Sequence, residues 1–235
     1  MGRAFEYRKA TKFARWDKMA KQFTRAGREI VIAVKAGGPD PEYNPTLRRA
    51  VQNAKGVSMP KDRIEAAIKR ASSKDEKDYT EIVYEGMGPH GVAIVIETAT
   101  DNPTRTVANV RSYFNKKGGS LGTSGMHDFI FERKGVFKFN AEGIDLEELE
   151  LELIDSGLDS LEQEEEFILA YASFQDFGAM QKALEEKGIE VITAELQRIP
   201  TMLKEMTEEQ TDEILELIDK LEQDDDVQTV YHNLA

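Results

Sequence analysis

The chain has 235 residues, more than one small core usually organises, so two or three domains are expected. It contains no cysteine, which excludes disulfides, thiol nucleophiles and Cys-ligated zinc, and no apolar run approaches the ~20 residues that span a bilayer. Its net charge of -13 would ordinarily exclude a phosphate-binding protein, but that average hides a split: residues 1 to 75 hold 18 Lys or Arg against 8 Asp or Glu, a net of +10, and the rest holds 13 against 36, a net of -23.

The first segment carries Arg3, Arg8, Lys9, Lys12, Arg15, Lys18, Lys21, Arg25 and Arg28, three to four residues apart, with Phe5, Phe13, Trp16 and Phe23 among them. That spacing gathers cations on helix faces. Phe23 to Val34 reads as an apolar helix that Gly37-Gly38-Pro39 ends. Asn44-Pro45 opens a second helix that runs to about Lys55, and Ser58-Met59-Pro60 opens a third with Ile64, Ala67, Ile68 and Ala71 inward. Three short-linked helices make a bundle, and the polar run Ser72 to Asp78 reads as a linker.

Beyond the linker, strands are expected at 81–86 and 91–99, a helix at 104–117, strands at 127–133 and 135–139, and a helix at 145–156. Strands at 158–161 and 166–172, a helix at 175–187 and a strand at 189–198 follow. The tail offers a strand near 196–204, a helix at 208–222 and a strand at 227–233. The order β-α-β-β-α-β is the ferredoxin-like split pattern, and the tail is too small for a core of its own. The expected class is therefore α+β: an N-terminal helical bundle (residues 1–77), then two ferredoxin-like α/β domains, the second (135–199) inserted in the first (78–134 with 200–235).

Gly86-Met87-Gly88-Pro89-His90-Gly91 matches G-x-G-x-x-G, but a strand rather than a helix follows it and Pro89 lacks an amide donor. A glycine loop between strands is the better account. Gly118-Gly119-Ser120-Leu121-Gly122-Thr123-Ser124-Gly125 lacks the Lys-Ser/Thr of a P-loop; it is either a flexible loop ending the preceding helix or a set of amides offered to a partner. In Thr100-Asp101-Asn102-Pro103-Thr104-Arg105-Thr106, Asp101 or Asn102 reads as a turn residue, Thr104 as the N-cap and Arg105 as solvated. The rival reading is a polar cluster holding a ligand or RNA backbone. His90, His127 and His232 read as surface or turn residues, and Glu147-Glu148, Glu164-Glu165-Glu166 and Asp224-Asp225-Asp226 as solvated faces. No nucleophile elbow, metal motif or carboxylate pair points to an enzyme, a metal or a cofactor.

Several strings together resemble the YebC/PmpR family: Ala36-Gly37-Gly38-Pro39-Asp40-Pro41-Glu42-Tyr43-Asn44-Pro45-Thr46-Leu47-Arg48, Met59-Pro60-Lys61-Asp62-Arg63-Ile64, and Tyr84-Glu85-Gly86 with Gly88-Pro89. Thr100-Asp101-Asn102 with Arg105-Thr106, Gly118-Gly119 through Gly125, and Phe131-Glu132-Arg133-Lys134-Gly135 continue the series in the family's order. The resemblance implies a three-domain protein with a helical N-terminal domain, acting as a transcriptional regulator or as a ribosome-associated factor that helps translation through proline-rich stretches. It also implies that the loops at 86–91, 100–106 and 118–125 form the functional face. Many members begin G-H-S-K-W where this chain has Gly2-Arg3-Ala4-Phe5-Glu6-Tyr7, so no role for that histidine or lysine carries over.

The expectation is a cytoplasmic, non-enzymatic regulator of gene expression, without cofactor, membrane contact or metal, acting as a monomer. Its partner is the ribosome through rRNA, with tRNA close by, and DNA is the alternative. Arg8, Lys9, Lys12, Arg15, Lys18, Lys21, Arg25, Arg48 and Lys61 are the expected nucleic-acid contacts. Gly86, Gly88, His90, Asp101, Asn102, Arg105, Thr106, Gly119, Ser120, Thr123 and Ser124 are the candidate loop residues.

Overall fold

The helical period that opens the sequence becomes a 35-residue helix, α1 (Arg3–Gly37), followed by α2 (Pro45–Gly56) and α3 (Lys61–Ala71). This computed structural model describes residues 3–73 and 77–235, and of residues 3–18 only the backbone. The chain divides into two compact units, Met1–Asp78 and Tyr79–Ala235. In the first, α1 packs against α2 and α3, and the buried residues repeat at helical spacing: Ile30, Val31 and Val34 on α1, Leu47, Ala50 and Ala54 on α2, Ile64, Ala67 and Ala71 on α3.

The α1–α2 corner is built around Asn44. Its side-chain amide donates to the carbonyls of Ala33 (2.7 Å) and Gly38 (2.9 Å), and its Oδ1 accepts from the Leu47 amide (3.0 Å). One buried side chain thus satisfies the end of one helix and caps the start of the next. Gly37 is glycine because a Cβ there would lie 2.7 Å from the Asn44 Nδ2.

The second unit contains two four-stranded antiparallel sheets. The first is ordered β3 (Ser120–Leu121), β1 (Thr80–Met87), β2 (Ala93–Thr100), β8 (Val227–His232), with α4 (Pro103–Lys116) and α7 (Glu208–Glu222) packed on it. The second is ordered β5 (Leu158–Glu164), β6 (Phe167–Ser173), β4 (Phe131–Asn140), β7 (Val191–Pro200), with α5 (Leu146–Leu153) and α6 (Phe177–Glu186) covering it. Strand β2 is buried along nearly its whole length, and its first half, Ala93–Ile96, is a continuous apolar run because both faces are covered. Ile94 and Ile96 meet α4 and α7, while Ala93 and Val95 meet Phe131 and the partly buried Ile130 and Tyr231.

The second sheet follows β-α-β-β-α-β directly. The first reaches the same spatial order by another route, since a hairpin, β1–β2, precedes α4 and β3, and α7–β8 closes the far edge. Two expectations are corrected here. The strands expected at 127–133 and 135–139 are one strand, β4, and 122–130 is loop and turn. Gly135 does not interrupt β4; it leaves room for the Phe177 ring, which a Cβ would approach to 2.7 Å. The strand expected near 196–204 is absent: β7 stays in the second sheet to Pro200, and the segment after it is held by Asn233, whose Nδ2 donates to the Met202 carbonyl.

Candidate nucleic-acid interface

Arg8, Lys9, Lys12, Arg15 and Lys18 lie on the α1 backbone, but their side chains fall outside the described residues. Lys21 is half-buried and Arg25 makes interactions of its own. Arg48 turns back on the corner loop, where its Nε donates to the Pro41 carbonyl (3.1 Å) and its Nη2 to the Glu42 carbonyl (3.0 Å). Lys61 is exposed beside Glu65 at 3.7 Å, a pair worth little in water. Of the interleaved aromatics, Phe23 stacks with Arg63, whose guanidinium carbon sits 5.7 Å from the ring centre. The pattern reading missed Tyr43, 83% exposed in the corner loop, because no apolar period includes it.

In the second unit, the glycine loop at 86–91 joins β1 to β2 through a single 3-10 turn, Pro89–Gly91. Its empty faces are occupied: a Cβ on Gly86 would lie 2.7 Å from the Phe114 ring, and one on Gly88 3.0 Å from Ile94. His90 pairs with Glu213 (2.7 Å), and Lys204 donates to the Gly91 carbonyl (3.0 Å). These glycines serve close packing rather than a phosphate cradle.

The 118–125 loop sits beside them, with Met87 paired to Ser120 and Gly86 to Leu121. Its glycine amides are used within the fold. Gly118 donates to Asn115, Gly119 to Phe114 and Gly122 to Glu85 backbone oxygens, and Gly125 donates to the Glu85 carboxylate at 2.8 Å. The other Glu85 oxygen accepts from the His127 amide (2.8 Å). His127 lies in a turn, one of the two roles expected, but it is buried and not on the surface: its Nε2 is 2.8 Å from the Gly86 carbonyl, and it acts as an internal strut. Ser120, Thr123 and Ser124 keep their side chains on the surface, and Phe129 beyond them is 91% exposed.

Residues 100–106 do not join these loops. The β1–β2 register pairs Thr100 with Thr80 and Ala93 with Met87, so 100–106 sit at the opposite end of an eight-residue strand, ~23 Å away at ~3.3 Å per residue. Asn102, not Thr104, caps α4 by accepting from the Arg105 amide (3.1 Å). Arg105 is not merely solvated: its Nη2 donates to Asp226 (2.6 Å) and Asp101 (2.8 Å). Thr106 Oγ1 donates to the same Asp226 oxygen (2.8 Å), while Asn109 and Tyr113 each donate to Asp224 (both 3.0 Å). Burial, reinforced by that Asp224 contact, pushes the Tyr113 hydroxyl up to about 12. The Asp224–Asp226 run is thus no solvated face, since Asp226 is buried and ties the start of α4 to the α7–β8 turn. Among the described residues, no three His, Asp or Glu side chains are placed to hold a metal, and no helix is long and apolar enough to cross a membrane.

A basic three-helix unit followed by two split-β-α-β sheets, with the loops knit by buried carboxylates, defines an α+β protein whose cations are concentrated at one end of its sequence. The chain belongs to the TACO1/YebC family: residues 3–74 match the model for the TACO1/YebC N-terminal domain and residues 79–234 the model for the second and third domains. It is 58% identical over 235 residues to a protein of Parabacteroides distasonis, covering all of this chain and 97% of that one. A Myxococcus xanthus relative is 55% identical over 240 residues, with both chains covered in full. Both relatives bear the name "Probable transcriptional regulatory protein". A crystal structure of a conserved hypothetical protein from Aquifex aeolicus superposes with a TM-score of 0.79 at 36% identity, covering 92% of this chain and 90% of that one.

Proposed function

We propose that the chain is a nucleic-acid-binding regulator of gene expression that acts on the ribosome, binding rRNA through its N-terminal helical unit. The observation that carries this is the charge segregation, +10 in residues 1–75 against -23 in the remainder. A cationic segment on an otherwise acidic chain binds phosphate in one place and discourages it elsewhere. The resemblance assigns the work to elongation through proline-rich stretches. Reversing the charges of Arg8, Lys9, Lys12, Arg15 and Lys21 is expected to release the protein from sedimenting ribosomes. Unchanged co-sedimentation would refute the reading.

A second reading, a DNA-binding transcriptional regulator, is favoured by the relatives' names and by the four-residue connection between α2 and α3. Helix α3 carries exposed Lys61, Arg63, Lys69 and Arg70, cations of the kind a recognition helix uses, but its first turns also expose Asp62 and Glu65, which oppose entry into a groove. Crosslinking in cells followed by sequencing of the bound nucleic acid separates the two: rRNA supports the first, discrete promoter sites the second.

A further inference from the structure

We infer that the outer face of α4 is a second RNA-contact surface, on which Arg111 and Lys116, with Ser112 and Asn115 beside them, take the phosphate backbone. This rests on the proposed RNA binding and adds to it a contact in the acidic unit.

Residues 79–235 hold 12 Lys or Arg against 34 Asp or Glu. Most of those cations are already engaged. Arg105, Lys117, Lys134, Lys182, Lys187 and Arg198 pair with carboxylates. Lys204 and Lys220 donate to neutral oxygens, and Arg133 and Lys138 lie over phenylalanine rings. Among the described residues, Arg111 and Lys116 are the two left without a partner, and both are exposed.

They are also neighbours. With Ala108, Ser112 and Asn115 they line one shallow depression on α4, while Thr106, Val110 and Phe114 on the same helix are buried. Five residues of helix separate the two cations by ~7.5 Å along the axis, a distance that two long side chains bridge to adjacent phosphates. Ser112 and Asn115 place a hydroxyl and an amide between them, groups that commonly bond phosphate oxygens.

The local sequence is complementary to an anion as well. From Asn102 to His127 the chain holds four cations and no acidic residue, although the unit as a whole is strongly negative. The run ends in the loop that exposes Ser120, Thr123 and Ser124. A contact here adds to whatever affinity the N-terminal helices supply and need not be strong by itself.

The test measures binding of the full chain to a fluorescein-labelled 30-nucleotide single-stranded RNA across a salt series. Arg111→Glu with Lys116→Glu is expected to weaken binding about tenfold or more and to lower the slope of log K against log salt by about 1.4, at about 0.7 per phosphate lost. Arg111→Gln with Lys116→Gln should give a smaller loss in the same direction, and covers the case in which the charge reversal disturbs folding. Lys182→Glu with Lys220→Glu changes net charge equally and should leave binding unaltered; an equal loss there overturns the inference. Unchanged affinity and slope in both α4 variants also overturns it, as does poly-glutamate displacing the protein from this face as well as RNA does. If the five N-terminal reversals leave binding intact while the α4 variants weaken it, the N-terminal reading fails and this surface stands. Wild-type protein that binds no RNA sinks both.

Discussion

Asn44 joins the end of α1, the corner loop and the start of α2 through three hydrogen bonds from a buried amide. Asn44→Ala is expected to cost about 3 kcal/mol, since it removes a helix cap and strands buried carbonyls. Urea unfolding checks it, and a loss below about 0.5 kcal/mol would mean that water replaces the amide at no cost. Tyr113 gives a pH prediction. Its hydroxyl ionises near pH 10 in the unfolded chain and near about 12 when folded, so its contribution is complete below pH 10 and disappears as pH rises towards 12. Tyr113→Phe should therefore lose stability less steeply over that window, and parallel curves for variant and wild type would reject the assignment. The Asn44-Pro45 cap was legible because its partners are local. The Asp226 contacts were not, since Arg105 and Asp226 are 121 positions apart and no periodicity marks a pair that only the fold brings together.

At the scale of elements, the helices after α1 were legible to within a few residues, and Gly37-Gly38-Pro39 marked the end of α1, although its start at Arg3 lies well before the Phe23 at which the apolar period begins. The strands around 120–140 were not. Gly135 resembles a break when read along the chain, yet in the sheet it is where α6 leans its Phe177 ring against β4. The pairing of Phe131 with Pro200 places the two ends of the second sheet's segment side by side. Read as an inserted domain, residues 131–200 are expected to be removable. Replacing 132–199 with a short Gly-Ser linker should leave the β3-β1-β2-β8 sheet cooperatively folded, since Phe131 stays to cover Ala93 and Val95, and the main loss is the ion pair of Arg198 with Glu97. Non-cooperative melting of that variant would show that the two sheets fold only together.

For the whole molecule, charge is sorted by folding unit, and this was the part of function most readable from composition. A phosphate contact of six to ten charges predicts that affinity for RNA falls by about 10³-fold or more between about 50 and 200 mM salt. Binding that ignores salt would point instead to a protein partner. The sequence suggested flexible glycine amides as the second contact, whereas the structure commits those of Gly118, Gly119, Gly122 and Gly125 to internal bonds. What remains outward on that side of the fold is side chains: the hydroxyls of Thr123 and Ser124 and the cations of α4.

Glu85 gives that loop a further property. A glycine-rich segment free in solution samples many conformations, and a ligand that selects one of them must offset the entropy of all the rest. Here a buried carboxylate grips the Gly125 and His127 amides, so the loop's shape is fixed when the chain folds. A partner arriving at Thr123 and Ser124 meets a preorganised surface, and recognition there is closer to lock and key than to folding on contact.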